Sequence, residues 1–141
     1  MNIPDLRAKA DSGNCAAQAI LGICYLEGID AETDYQEAFR LLSAAAAQGA
    51  SRAVVSLARM YAEGLGIPQN VPEAIRLYKT AATAGEFLAQ IQLGRMYSRG
   101  LGVKANLATA RRWYATAVAQ ENTVADGEEL REAKAYLAEH S

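Results

Sequence analysis

One histidine, one tryptophan, two cysteines and three prolines stand among the 141 residues, and each scarcity removes a class of chemistry or structure. The histidine is His140, next to the last residue, where fraying is expected. Mechanisms that need a fixed imidazole, such as Ser-His-Asp or Cys-His catalysis and His-ligated zinc, therefore lose their central group. Cys15 and Cys24 have no metal-site spacing. On one helix they would lie roughly 13 Å apart along the axis and on opposite faces, too far for a mutual disulfide. They read as small buried hydrophobes in a reducing compartment. Long apolar runs are missing too. The longest uncharged stretch, Ser12 to Leu26, has 15 residues and includes Asn14 and Gln18, so it is too short and too polar to span a bilayer. Arg7 and Lys9 are balanced by Asp5 and Asp11 with no apolar h-region after them. No export signal and no membrane partner are expected, and the chain reads as cytoplasmic.

What is abundant is alanine, at 30 residues. Abundant alanine with few β-branched residues favours closely packed helices over sheet. The length suits one domain with a real core. A chain 51% apolar and 21% charged is ordinary for a globular protein and unlike a disordered one.

A fixed period organises the chain. Gly13, Gly49 and Gly85 are 36 residues apart, and the same step joins Tyr25, Tyr61 and Tyr97, and Leu21, Leu57 and Leu93. It also joins Gly28, Gly64 and Gly100, and Arg40, Arg76 and Arg112. Residues 49–84 laid on 85–120 share 15 of 36 positions without a gap. Three repeats follow, at 13–48, 49–84 and 85–120. Each reads as two helices. Ala53, Leu57 and Tyr61 at i, i+4, i+8 form one helical face that stops at Gly64. Asp34-Tyr-Gln-Glu37 and Asn70-Val-Pro-Glu73 have capping-box spacing and open the second helix, and Asn106 repeats the cap with Thr109 in place of the glutamate. At the ends, Ile3, Leu6 and Ala10 form a short apolar stripe behind Asn2. Leu130, Ala133 and Leu137 form another after an Asp126 cap, with Arg131, Glu132 and Lys134 outside.

The third repeat sets Ala89, Leu93, Gly94, Tyr97, Gly100, Gly102, Val103, Ala110, Trp113, Tyr114 and Ala117 in one pattern, which resembles the Sel1-like repeat, a relative of the tetratricopeptide repeat. Repeat two departs from it at Ala58 and Leu77, and repeat one at Asp30 and Leu41-Leu42. The resemblance implies an all-α fold. It would be a short right-handed α-α superhelix of three 36-residue repeats with capping helices over 1–12 and 121–141, one domain overall.

Catalytic and cofactor signals are thin. Gly64-Leu-Gly66 and Gly100-Leu-Gly102 share glycine spacing with phosphate loops, but they follow a helix where a phosphate loop follows a strand. Cysteine-rich relatives of the Sel1 family are linked to penicillin binding or hydrolysis. That chemistry usually presents Ser-x-x-Lys, and no serine or threonine here has lysine three residues on. No enzyme activity, cofactor or metal is expected. Charge is more informative than its total of −2. Residues 1–37 carry −5, 38–117 carry +7 and 118–141 carry −4. With a pI of 5.4, no lysine run and no stacking aromatics, nucleic acid is not the expected partner.

By the resemblance, the first helix of each repeat lines a concave groove. The groove positions are then Ala16, Ala19, Ile23 and Glu27, then Arg52, Val55, Arg59 and Glu63, then Leu88, Ile91, Arg95 and Arg99. Arginines around an apolar floor suit a protein or peptide segment with acidic groups. The competing reading of Arg59 and Arg95 is that they pair with Glu63 and Glu27 and only solvate the face. The Arg40, Arg76 and Arg112 ladder is expected to cap carbonyls or solvate the outer face. The function that follows is a non-catalytic protein-interaction or adaptor module. An immunity-type protein of bacterial origin that masks a toxin or effector is the alternative, and a cysteine-rich-type hydrolase a more distant one.

Overall fold

A computed structural model describes residues 2–140. Among them are eight helices and no strand, so the chain is all-α: α1 (Ile3–Asp11), α2 (Cys15–Glu27), α3 (Tyr35–Ala47), α4 (Ser51–Glu63), α5 (Val71–Thr83), α6 (Phe87–Arg99), α7 (Leu107–Val118) and α8 (Glu128–Glu139). The period read from the sequence is the period of the helices. α2, α4 and α6 are 13 residues each and begin at 15, 51 and 87; α3, α5 and α7 begin at 35, 71 and 107. Two compact units, Met1–Leu77 and Tyr78–Ser141, divide within α5.

One loop design is used three times. α2, α4 and α6 end on a left-handed glycine, Gly28, Gly64 or Gly100, with φ between 66° and 69°. A second left-handed residue follows two positions later: Gly66 at 70°, Gly102 at 73° and, in repeat one, Asp30 at 57°. Aspartate is among the few side chains that tolerate this region, so repeat one keeps the loop without its second glycine. The loop closes on an Asx residue. Asp34, Asn70 and Asn106 each donate the backbone N–H to the carbonyl of the recurrent Tyr25, Tyr61 or Tyr97, at 2.8–2.9 Å. Their side chains accept from the backbone N–H three residues on, at 3.0–3.1 Å.

Only this half of the expected capping box forms. The cap N–H is already committed to the tyrosine carbonyl, so Glu37 and Glu73 turn outward and pair with Arg40 and Arg76 one turn along. The arginine ladder in repeats one and two therefore binds carboxylates near the start of its helix and does not cap carbonyls at the end.

In the first unit, α1 lies on α2 through Ala10, Ala17, Leu21 and Leu41, with Ile3 and Leu6 alongside. Arg7 reinforces this contact: its guanidinium donates to Glu37 on α3 at 2.5 Å and to the Tyr25 hydroxyl on α2 at 2.7 Å. A second cluster of Ala19, Leu26, Ala38, Leu42, Ala45, Ala53 and Met60 joins α2, α3 and α4. In the second unit, Ile91, Tyr114, Ala117 and Ala133 unite α6, α7 and α8, flanked by Phe87, Tyr136 and Leu137. α8 starts from Gly127, with no side-chain cap. The expected Asp126 cap does not form, because Asp126 lies one residue before the cap and faces Arg131 at 3.7 Å.

A buried glutamine bonded to a second, more exposed one recurs in both units. Gln18 donates to the Ala10 carbonyl at 3.3 Å and accepts from Gln48 at 2.6 Å. Gln90 donates to the Ala82 carbonyl at 3.1 Å and accepts from Gln120 at 2.7 Å. Each pair satisfies a buried amide and ties a first helix to the helix before it. Repeat two carries Val54 and Ala84 at these positions and dispenses with the device.

Two outcomes test this packing. A methyl group at Gly94 would sit 2.8 Å from ring carbons of the buried Tyr114. Gly94→Ala should therefore lower stability by about 1–3 kcal/mol despite alanine's better helix propensity, read as a fall in Tm by calorimetry. Glu37 is drawn down from 4.5 to about 2 by hydrogen bonds from Arg40 and Arg7. A depressed carboxylate stabilises the fold above its unfolded value and loses that contribution as pH falls. The stability gap between the parent and Glu37→Gln should hold above about pH 5 and close as pH falls towards about 2, measured by urea unfolding.

Candidate functional site

Arg52, Val55, Arg59 and Glu63 follow the helical step and form one stripe on α4. Arg52 is exposed and has no ion pair among the described residues, and Val55 is half-buried. Arg59 is doubly held. Its Nε donates to Glu63 at 2.7 Å and its Nη1 to Glu27 on the neighbouring α2. Burial opposes the charge on Arg59, but the bonds to Glu63 and the charge of Glu27 outweigh it and raise its pKa above the ordinary value. With two arginines and two glutamates, the face is locally neutral, not basic. On α2 the stripe is open only at its ends: Ala16 and Glu27 are exposed, while Ala19 is buried and Ile23 half-buried in the core between them.

The α6 stripe divides differently. Leu88 is 46% exposed, and Arg99 is exposed with no ion pair among the described residues. Ile91, expected as an apolar floor, is fully buried against Tyr114, Ala117 and Ala133. It is part of the core because α8 covers that side of α6. Arg95 is engaged as well: it forks onto Glu132 of α8, Nε to Oε2 at 2.8 Å and Nη2 to Oε1 at 2.6 Å. The Tyr114 hydroxyl donates to the same carboxylate at 3.0 Å.

The hydrogen bond from Arg95, and then that from Tyr114, keep the Glu132 carboxyl below the usual range against the cost of burial; the charge of Arg99 adds to this. Tyr114 is pushed up to about 12 by burial and by its bond to Glu132. Arg95 therefore holds α8 in place and is not a free donor to a partner. Glu132, placed on the outer side by its neighbours' polarity, turns inward. Its signal in the sequence is weak, because α8 falls outside the 36-residue register and no repeat-mate marks the position.

Among the described residues no group of three or more His, Cys, Asp or Glu side chains is placed to hold a metal ion. No helix among them is long and apolar enough to cross a membrane.

The family model of the Sel1 repeat matches residues 15–49, 51–86 and 88–122. Its boundaries begin each repeat at the first helix rather than at the preceding glycine. Among solved structures, the chain is similar to a Sel1 repeat protein from Oxalobacter formigenes, at 38% identity over 96% of both chains, with a TM-score of 0.76. It is also similar to c5321, a protective antigen of uropathogenic Escherichia coli strains with an SLR fold, at 38% identity and a TM-score of 0.79. That match covers 85% of this chain but only 26% of c5321. No curated protein matches the chain.

Removing the α8 carboxylate tests the network. Glu132→Ala leaves Arg95 and the Tyr114 hydroxyl without their acceptor and should cost about 1–3 kcal/mol in urea unfolding. Changing both Arg95 and Glu132 to methionine should recover the part of that loss due to the unpaired guanidinium, while the Tyr114 hydroxyl still lacks the Glu132 acceptor.

Proposed function

The chain belongs to the Sel1 repeat family, and on that premise we propose that it acts as a non-catalytic module that binds a protein or peptide segment. Proteins built from these repeats generally mediate protein–protein interaction. The observation that carries the reading is the repeated first-helix stripe, which leaves cations and aliphatic side chains open: Arg52 next to Val55 on α4, and Leu88 and Arg99 at opposite ends of α6. They remain open on their own helices, whereas Arg59, Ile91 and Arg95 are held by the fold. Glu63 and Glu27 tune the first face towards neutrality, so affinity there rests more on apolar contact and shape than on net charge. The place of action we assign is the cytoplasm, and the role an adaptor.

Neither Arg52 nor Arg99 has an ion pair among the described residues, but the charge of Arg99 supports Glu132, so the test reverses Arg52 and only neutralises Arg99. The Arg52→Glu, Arg99→Gln protein should keep the parent's circular dichroism and nearly its Tm while losing at least about tenfold in partner recovery. Recovery is read by affinity capture from source lysate with quantitative mass spectrometry. Full recovery by the double variant would remove the function from these faces.

A further inference from the structure

α7 carries exposed charge at positions where its repeat-mates are neutralised or apolar, Ile75 being buried and Phe39 half-buried. In α3 and α5 the ladder arginine is neutralised one turn back, Arg40 by Glu37 and Arg76 by Glu73. Repeat three has Thr109 where those glutamates stand, and the preceding position holds Arg111 where the other repeats have Phe39 and Ile75. Neither Arg111 nor Arg112 has an ion pair among the described residues, and both are exposed. Four equivalent positions that sum to zero in repeats one and two thus carry two positive charges in repeat three.

Two neighbouring shallow depressions of the second unit are lined by these arginines, Arg111 in both and Arg112 in one. A shallow depression of about 500 Å³ lies along Arg111, Arg112 and Ala115. A second, of about 320 Å³, lies between Leu107, Arg111 and His140, and the two share Ala108 and Arg111. Leu107 is 54% exposed, more than any other large hydrophobic side chain described. No carboxylate and no tryptophan, tyrosine or phenylalanine lines either depression.

We propose that this outer face of α7 is a second docking surface, for an acidic protein segment that carries an aliphatic anchor. The partner's carboxylates would take the fork geometry of Arg111 and Arg112, and its aliphatic side chain would cover Leu107 beside His140. The one aromatic ring lining the depressions, His140, already stacks on Tyr136 with ring centroids 4.0 Å apart. An exposed leucine among cations fits a protein segment better than a nucleic acid strand, which gains from several stacking platforms. The surface uses none of the residues of the α4 and α6 stripes.

The test is fluorescence anisotropy of the full chain with a labelled peptide of roughly twelve residues, rich in Asp and Glu with two leucines, at about 150 mM salt. The peptide should bind, and Arg111→Glu with Arg112→Glu should weaken binding at least about tenfold. Thr109→Glu, which restores the ion pair of the other repeats, should weaken binding several-fold without lowering Tm. Lys9→Glu, at an exposed cation of α1 that belongs to neither proposed surface, should leave binding unchanged, which ties the loss to the α7 arginines and not to total charge. The proposal is overturned if the peptide fails to bind, or if either α7 variant binds it as tightly as the parent. It is equally overturned if single-stranded RNA or phosphatidylserine vesicles compete for the same arginines more tightly than the peptide. A dimer in sedimentation that dissolves on reversing Arg111 and Arg112 would assign the face to a second copy instead.

Discussion

How near two helices can come is decided by the side chains at their crossing, and in this chain those side chains are repeatedly a methyl group or a hydrogen. Ala38, Ala45, Ala53, Ala89, Ala110, Ala117 and Ala133 have no exposed surface. At Gly22 and Gly94 even a methyl would intrude, on Leu42 and Tyr114 respectively. Such residues bury little apolar area of their own. Their effect is to bring backbones close enough for Leu21, Leu41, Leu93 and Tyr114 to fill the space on either side. The high alanine content is thus a geometric requirement of the helix pairs as well as a matter of helix propensity. It recurs every 36 residues because the crossing does.

Against this apolar packing, the polar interior is sparse and organised. Each unit contains one glutamine pair, and each contains one triad of arginine, glutamate and tyrosine at its terminal helix. α1 contributes Arg7, which meets Glu37 and Tyr25; α8 contributes Glu132, which meets Arg95 and Tyr114. The sign of the terminal charge is opposite in the two cases, but the arrangement is alike. A terminal helix has only one neighbouring layer, so apolar contact alone leaves it weakly specified in rotation. A charged group hydrogen-bonded to two different inner helices fixes that rotation.

Much of the architecture was legible because it is local and repeated. Gly64 and Gly100 as helix stops, Asp34, Asn70 and Asn106 as starts, and the Leu and Tyr spacing each state a backbone preference that tertiary contacts had no reason to override. The site was less legible. Ile91 and Val55 occupy equivalent positions in the register, yet Ile91 is buried and Val55 half-open, since α8 packs on α6 and lies outside the repeat. Arg59 and Arg95 are likewise register-mates. One is held by Glu63 of its own helix and Glu27 of the preceding repeat, the other by a glutamate 37 residues downstream whose neighbours suggested solvent.

The sequence alone determined the number, length and spacing of the helices, because periodic apolar positions, caps and left-handed stops act within a few residues of one another. It also determined the family, through three in-register copies of the same pattern. Only the tertiary structure decided which charges are free. An arginine is available to a partner or committed to the fold according to whether a carboxylate lies within hydrogen-bond reach. That carboxylate can come from one turn away, as at Arg40, or from a helix the repeat does not contain, as at Arg95. Periodicity encodes where a side chain stands on its helix, but what stands opposite depends on which helices pack together.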